Sequence, residues 1–163
     1  MASGPKFLDI LTTLSVYQVD YIVVGGVAAV LAGASISTFD LDIVYSPSEE
    51  NLDRLAEALR DLEAVYRDLA GRRIEPDGGK LATIRMHLFY TRLGDLDVLA
   101  TVGAGLGYEQ LIGRSRIVEL GELRVRVLDL EAVIETKEHA NRPKDRTTLP
   151  ELRELLRSRI EGA

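Results

Sequence analysis

At 163 residues, with 46% hydrophobic and 28% charged positions, the chain is long enough for one domain with a real core, and no apolar run approaches the roughly 20 residues of a membrane span. The absence of cysteine excludes disulfides, thiolate metal sites and a cysteine nucleophile, and His87 and His139 alone leave little for a zinc site, so any metal is expected to be held by oxygen. A net charge of −6 argues against a protein that coats nucleic acid by counterion release, although residues 110–163 hold 11 Lys/Arg against 10 Asp/Glu while residues 1–109 hold 9 against 16.

The segment MASGPKF lacks the charged and apolar regions of a signal peptide, and the expectation is a cytoplasmic protein with no membrane partner. Residues 5–17 open on Pro5, favourable in a first helical turn, and space Leu8, Leu11 and Leu14 for an amphipathic helix. Tyr21–Val24 is a β-branched run short enough only for a buried strand. Gly25 and Gly26 break it and open a helix over Val27–Ala32, closing at Gly33. Asp40 and Asp42 follow on an extended stretch, where residues i and i+2 share a face, so both carboxylates address one volume. Hard divalent cations take oxygen ligands in that arrangement. Ser46-Pro47-Ser48-Glu49 offers a capping box with proline in the first helical position, and Leu52, Leu55, Leu59 and Leu62 predict a helix to about Leu69. Arg67, Arg72 and Arg73 then read as partners of its C-terminal dipole or solvated charges.

IEPDGGK at 74–80 is turn-rich and lacks phosphate-loop spacing, which predicts a loop. Leu81–Arg92 alternates as a strand and turns at Gly94 into the acidic strand Asp95-Leu96-Asp97-Val98-Leu99, with His87 half-exposed on the face opposite Met86 and Leu88. GAGLG at 103–107 lacks the dinucleotide fingerprint. A short helix is expected at Tyr108–Ile112, and a hairpin with a type II′ turn at Gly121-Glu122 joins Ile117–Leu120 to Leu123–Val127. Asp129 caps a helix from Leu130 to about Ala140, Pro143 interrupts, and Pro150–Ile160 forms a last amphipathic helix.

The order Gly-Gly, short helix, then Thr38-Phe39-Asp40-Leu41-Asp42 resembles the signature of the DNA polymerase beta-like nucleotidyltransferase superfamily. Within it the chain is most similar to small bacterial nucleotidyltransferases, AbiEii-like abortive-infection toxins and minimal nucleotidyltransferases among them. GDLDVL at 94–99 sits where such proteins place a third acidic strand, and LEAVIETKEHANRPKDRTTLPEL at 130–152 resembles their C-terminal helical segment.

The resemblance implies an α/β (α+β) fold, a small mixed sheet with helices packed on it, in one nucleotidyltransferase-like domain over 1–163. Residues 1–102 would form the catalytic sheet and helices, and 103–163 a C-terminal helical extension with a small hairpin. It implies that Asp40, Asp42 and Asp97 hold Mg2+ or Mn2+, with Asp97 helping to deprotonate an acceptor hydroxyl, and that Gly25, Gly26, Thr38, Lys137, Arg142 and Lys144 meet the NTP. Asp95 shares a face with Asp97 and competes for the third position, but the family pattern sets the acid directly before Val98-Leu99. Many relatives carry arginine two positions before the threonine; here that residue is Ile36. The implied reaction moves a nucleoside monophosphate from an NTP to a hydroxyl of RNA, a protein or a small molecule, within a toxin–antitoxin or abortive-infection module that would include a cognate partner protein. The alternative is a degenerate relative that binds nucleotide or a partner protein without catalysis.

Overall fold

The computed structural model describes residues 6–162. Pro5 lies outside them, and the first helix, α1, runs Phe7–Val16 with Ile10, Leu11 and Leu14 buried. Strand β1 (Tyr21–Val24) is buried throughout, and helix α2 (Gly25–Leu31) starts directly at Gly25, two residues earlier than the composition suggested. Strand β2 is Asp40–Tyr45.

Helix α3 is Glu49–Asp61, and its N-cap is Ser48, whose hydroxyl accepts from the Asn51 N–H at 3.2 Å. Pro47 therefore precedes the cap instead of occupying the first turn. The helix also stops eight residues short of Leu69, because Glu63 takes a left-handed conformation (φ 53) and Val65–Tyr66 pairs as strand β3. The expected loop at 74–80 contains a helix start: Asp77 accepts from the Lys80 N–H at 2.8 Å and caps α4 (Gly78–Thr83).

Strands β4 (Met86–Thr91) and β5 (Gly94–Leu99) form the expected hairpin. A small ribbon of β6 (Thr101–Val102) and β7 (Leu106–Gly107) leads into α5 (Tyr108–Leu111). Strands β8 (Ser115–Leu120) and β9 (Leu123–Leu128) turn at Gly121, where φ is +66 and glycine is favoured. Helix α6 is Leu130–Ala140, and α7 is Pro143–Glu161. The last helix thus begins seven residues before Pro150. Pro143 supplies its first turn, where a missing N–H costs nothing.

Seven strands make one mixed sheet in the order β3-β4-β5-β2-β1-β9-β8. β1 and β2 are antiparallel, whereas β2–β5 and β1–β9 are parallel. The β8–β9 hairpin, expected in the C-terminal extension, is instead one edge of this sheet. Tyr45, which period two sets opposite to Asp40 and Asp42, donates to the Leu81 carbonyl in α4 at 3.4 Å. α4 therefore lies on the face away from the carboxylates and packs with α3, while α2 packs on β2 and against α6, and α6 against α7.

His87 is fully buried on the α4 side, not half-exposed. Period two placed it correctly, but that face is covered. Its Nε2 donates to the Ile84 carbonyl at 2.9 Å, which leaves Nδ1 to accept from the Tyr66 hydroxyl at 2.7 Å. The ring stacks on Phe89, and burial holds its pKa below the usual histidine value.

Candidate active site

Strand β2 carries Asp40 and Asp42 on one face, and the parallel register sets Asp42 beside Asp97 of β5. Each of the three offers a carboxylate oxygen, and these oxygens lie within 4.8 Å of one another. Two neighbouring strands, each with its acid on the same face, account for the convergence.

Like charges crowd Asp42. Its Oδ1 is buried and has no hydrogen-bond partner. Burial, then the charges of Asp97 and Asp40, push its carboxyl up to about 7, against a smaller pull from Lys144. Carboxylate oxygens alone, convergent, with one buried and unpartnered, fit a hard divalent cation and no soft one.

Gly25 makes the approach possible. Its φ is +66, and a Cβ there would sit 2.3 Å from Asp42 Oδ2. Gly26 is similarly close to Thr38, where a Cβ would stand 2.8 Å from Oγ1, and that hydroxyl donates to the Asp40 carbonyl at 3.2 Å. Glycine pair, threonine and aspartates are thus packed into one corner at the junction of β1, α2 and β2.

Lys137, Arg142 and Lys144 reach the same cleft from α6 and the turn into α7. Asp145, fully buried, organises two of them. It accepts from Arg142 Nε at 2.8 Å and from the Arg142 N–H at 3.1 Å, and Lys137 Nζ is 3.4 Å away. Burial alone would raise its carboxyl, but the hydrogen bonds and charge of Arg142, with Lys137, outweigh it and hold the group below its ordinary value. The cleft encloses about 680 Å3 and also takes in Ile36, Thr38 and Thr136.

Arg67 belongs to this site and was misread in the sequence as a helix-end charge. Its guanidinium donates to Asp97 Oδ1 at 2.6 Å and to the Phe89 carbonyl at 2.8 Å, and lies 5.9 Å from the centre of the Tyr90 ring. The signal that could have found it is the end of the leucine repeat at Leu62, after which Val65-Tyr66 reads better as strand. Asp95 shares the face of Asp97 but stands outside the cluster, beside Asp40 in register. Burial raises its carboxyl, and the Arg67 charge opposes that.

Paired acids on one strand of a mixed sheet thus stand beside a third on its parallel neighbour. The fold is similar to that of the lincosamide antibiotic adenylyltransferase LnuA in its lincomycin-bound crystal structure, with a TM-score of 0.65 at 13% identity, covering 94% of this chain and 99% of that one. It is also similar to a Thermotoga maritima protein described as a candidate nucleotidyltransferase, with a TM-score of 0.54 at 19% identity, covering 93% and 91%. A family model described as aminoglycoside-2''-adenylyltransferase matches residues 6–152, and the chain belongs to that family of nucleotidyltransferases. No curated protein sequence matches it. Among the described residues no helix is long and apolar enough to cross a membrane.

Proposed function

We propose that the chain is a magnesium-dependent adenylyltransferase that moves AMP from ATP to a hydroxyl of a small, antibiotic-type molecule and releases pyrophosphate. The observation that carries this is the convergence of the Asp40, Asp42 and Asp97 oxygens within 4.8 Å, one of them buried without a donor. Residues 1–163 act as one unit in this reading, since the acids come from the first half and the cations from the second.

Asp40 and Asp42 hold Mg2+, or Mn2+, and Asp97 completes the set. The bound cation supplies Lewis-acid charge at the α-phosphate and eases ionisation of the acceptor hydroxyl. Asp97 accepts the hydroxyl proton, the freed oxygen forms a bond to the α-phosphorus, and the bond to pyrophosphate breaks. Lys137, Arg142 and Lys144 face the triphosphate and compensate the charge that grows on the departing pyrophosphate. Gly25 and Gly26, without side chains, leave the triphosphate room beside Asp42. Arg67 keeps Asp97 aimed at the trio through its 2.6 Å ion pair.

The family match favours a small-molecule acceptor over RNA or a protein. An AbiEii-like role in a toxin–antitoxin or abortive-infection pair, with a cognate partner protein, uses the same chemistry and is the second setting, in the cytoplasm where ATP is plentiful. One observation favours a binding module without catalysis: Ile36 lines the cleft where many relatives carry arginine. The test is incubation with each labelled NTP, Mg2+ and a panel of aminoglycoside, lincosamide, RNA and protein acceptors. The expected result is label passing from ATP to a small molecule with pyrophosphate released. Nucleotide binding with no labelled acceptor would replace the enzyme with the binding module.

A further inference from the structure

The trio divides the floor of the cleft into two ends of different chemistry. Asp95, Asp97 and Leu99 share a face of β5, and antiparallel pairing sets Met86 of β4 opposite Leu99. Past Leu99 the chain enters β6 and the turn at Gly103, where φ is +58 and a Cβ would stand 3.2 Å from Thr136 Cγ2, so α6 packs directly on that turn. Met86, Leu99, Val102, Gly103 and Thr136 thus line one end of the cleft, and none of them carries a charge. Met86 is 61% exposed there. The opposite end begins at Asp40, with Phe39 before it and Asp95 beside it in register.

In the adenylyltransferase reading, on which this inference rests, the α-phosphate sits at the trio and the remaining phosphates meet Lys137, Arg142 and Lys144. The nucleoside then leaves the α-phosphate toward one end or the other. Leu99 follows Asp97 by two positions on the strand, about 6 to 7 Å at roughly 3.3 Å of rise per residue, a distance that one ribose spans.

We propose that the uncharged end is a nucleobase slot, in which a purine lies on Met86, Leu99 and Val102 against the Gly103 turn and Thr136. A base is flat and neutral, so it removes the exposed Met86 side chain from water and gains thioether contact at its ring edge. Placed at the other end, it would strip water from the Asp40 and Asp95 carboxylates without pairing them, which is costly. The Thr136 hydroxyl already donates to the Val133 carbonyl at 2.8 Å, and the other side chains that line the slot, those of Met86, Leu99 and Val102, are apolar. The slot therefore reads ring area, and a purine covers more of it than a pyrimidine.

Met86 is the only methionine besides Met1, so methyl-labelled methionine gives a direct readout of the slot, and Met86→Ala identifies the signal. With Mg2+ present, α,β-methylene-ATP, which cannot transfer its nucleotide, should move the Met86 methyl signal through the ring current of the base. Tripolyphosphate should displace the analogue and return the signal to its free position, and kanamycin alone should leave it in place. The corresponding UTP analogue should bind about tenfold more weakly in calorimetry, because its single ring stacks over less of the slot. Met86→Ala and, independently, Val102→Ser should each weaken the ATP analogue by about tenfold while tripolyphosphate binds as in wild type, which separates lost stacking from lost folding. An ATP analogue that binds with Met86 silent overturns the proposal, as does a Met86 signal moved by tripolyphosphate or kanamycin alone, or equal affinity for the two analogues. An ATP analogue that does not bind overturns it as well. The readout needs no turnover: a responsive Met86 in a protein that labels no acceptor refutes the transfer reading and leaves the slot standing. An adenylylated acceptor with a silent Met86 does the reverse.

Discussion

Two clusters of buried charge face each other across the cleft, and they are built on opposite principles. In the first turn of α7, the buried Asp145 is surrounded by its own counter-charges, Arg142 and Lys137, and accepts hydrogen bonds on both oxygens. On β2 and β5 the half-buried Asp42 is surrounded by like charges, and its buried Oδ1 meets nothing. The first cluster lowers a carboxyl below its usual range while the second pushes one up to about 7. A compensated charge fixes a turn and aims cations. An uncompensated one is where the proposed cation would act.

The contrast breaks most visibly at Asp42. Asp42→Asn should lower adenylyl transfer by on the order of a hundredfold or more, roughly 3 kcal/mol of transition-state stabilisation, while the protein stays folded. Steady-state rates beside circular dichroism check both halves of that statement. Asp145→Asn should behave in the opposite way, losing about 2 kcal/mol of stability in urea unfolding, because Lys137 is left buried without its partner while half-exposed Arg142 turns to solvent.

The pH dependence sharpens the comparison further. Asp42 titrates at about 3.9 in the unfolded chain and at about 7 when folded, so between those values the native state holds a proton that the unfolded state has released. Wild-type stability contributed by this group therefore falls as pH rises through that window and is level above it. Without divalent cations, Asp42→Asn should match wild type near pH 4 and exceed it above pH 7 by on the order of 1–2 kcal/mol, less than the full shift because the three carboxylates titrate as a set. Thermal melts in chelator across that range give the answer. The smallest effect belongs to Asp95→Asn, outside the cluster and offset by Arg67, with about 0.5 kcal/mol or less in stability and little change in rate.

What the sequence disclosed depended on how local the cause was. Tyr21–Val24, the glycine break and the period-two pair Asp40 and Asp42 are set by neighbours in the chain, and the fold follows them closely. The nearness of Asp97 was legible only through its likeness to other acidic strands, since the β2–β5 pairing joins residues more than fifty positions apart. Arg67 was missed because leucine spacing carried α3 past its true end, and its partner Asp97 is brought near only by the β3-β4-β5 order. His87 was assigned to the correct face but the wrong exposure: alternation says which side a residue faces, and only packing by Phe89, Tyr66 and Tyr45 says whether that side is covered. Lys137 was expected at the nucleotide, while its buried pairing with Asp145 depends on how α6 meets α7.

Divalent-cation binding tests the difference between the two clusters most directly. In a Mn2+ titration followed by water proton relaxation with ATP present, wild type and Asp145→Asn should both bind the cation beyond what ATP binds alone, and Asp42→Asn should lose that excess. Equal excess binding in Asp42→Asn and wild type, or loss confined to Asp145→Asn, would contradict the assignment of the uncompensated trio as the cation site.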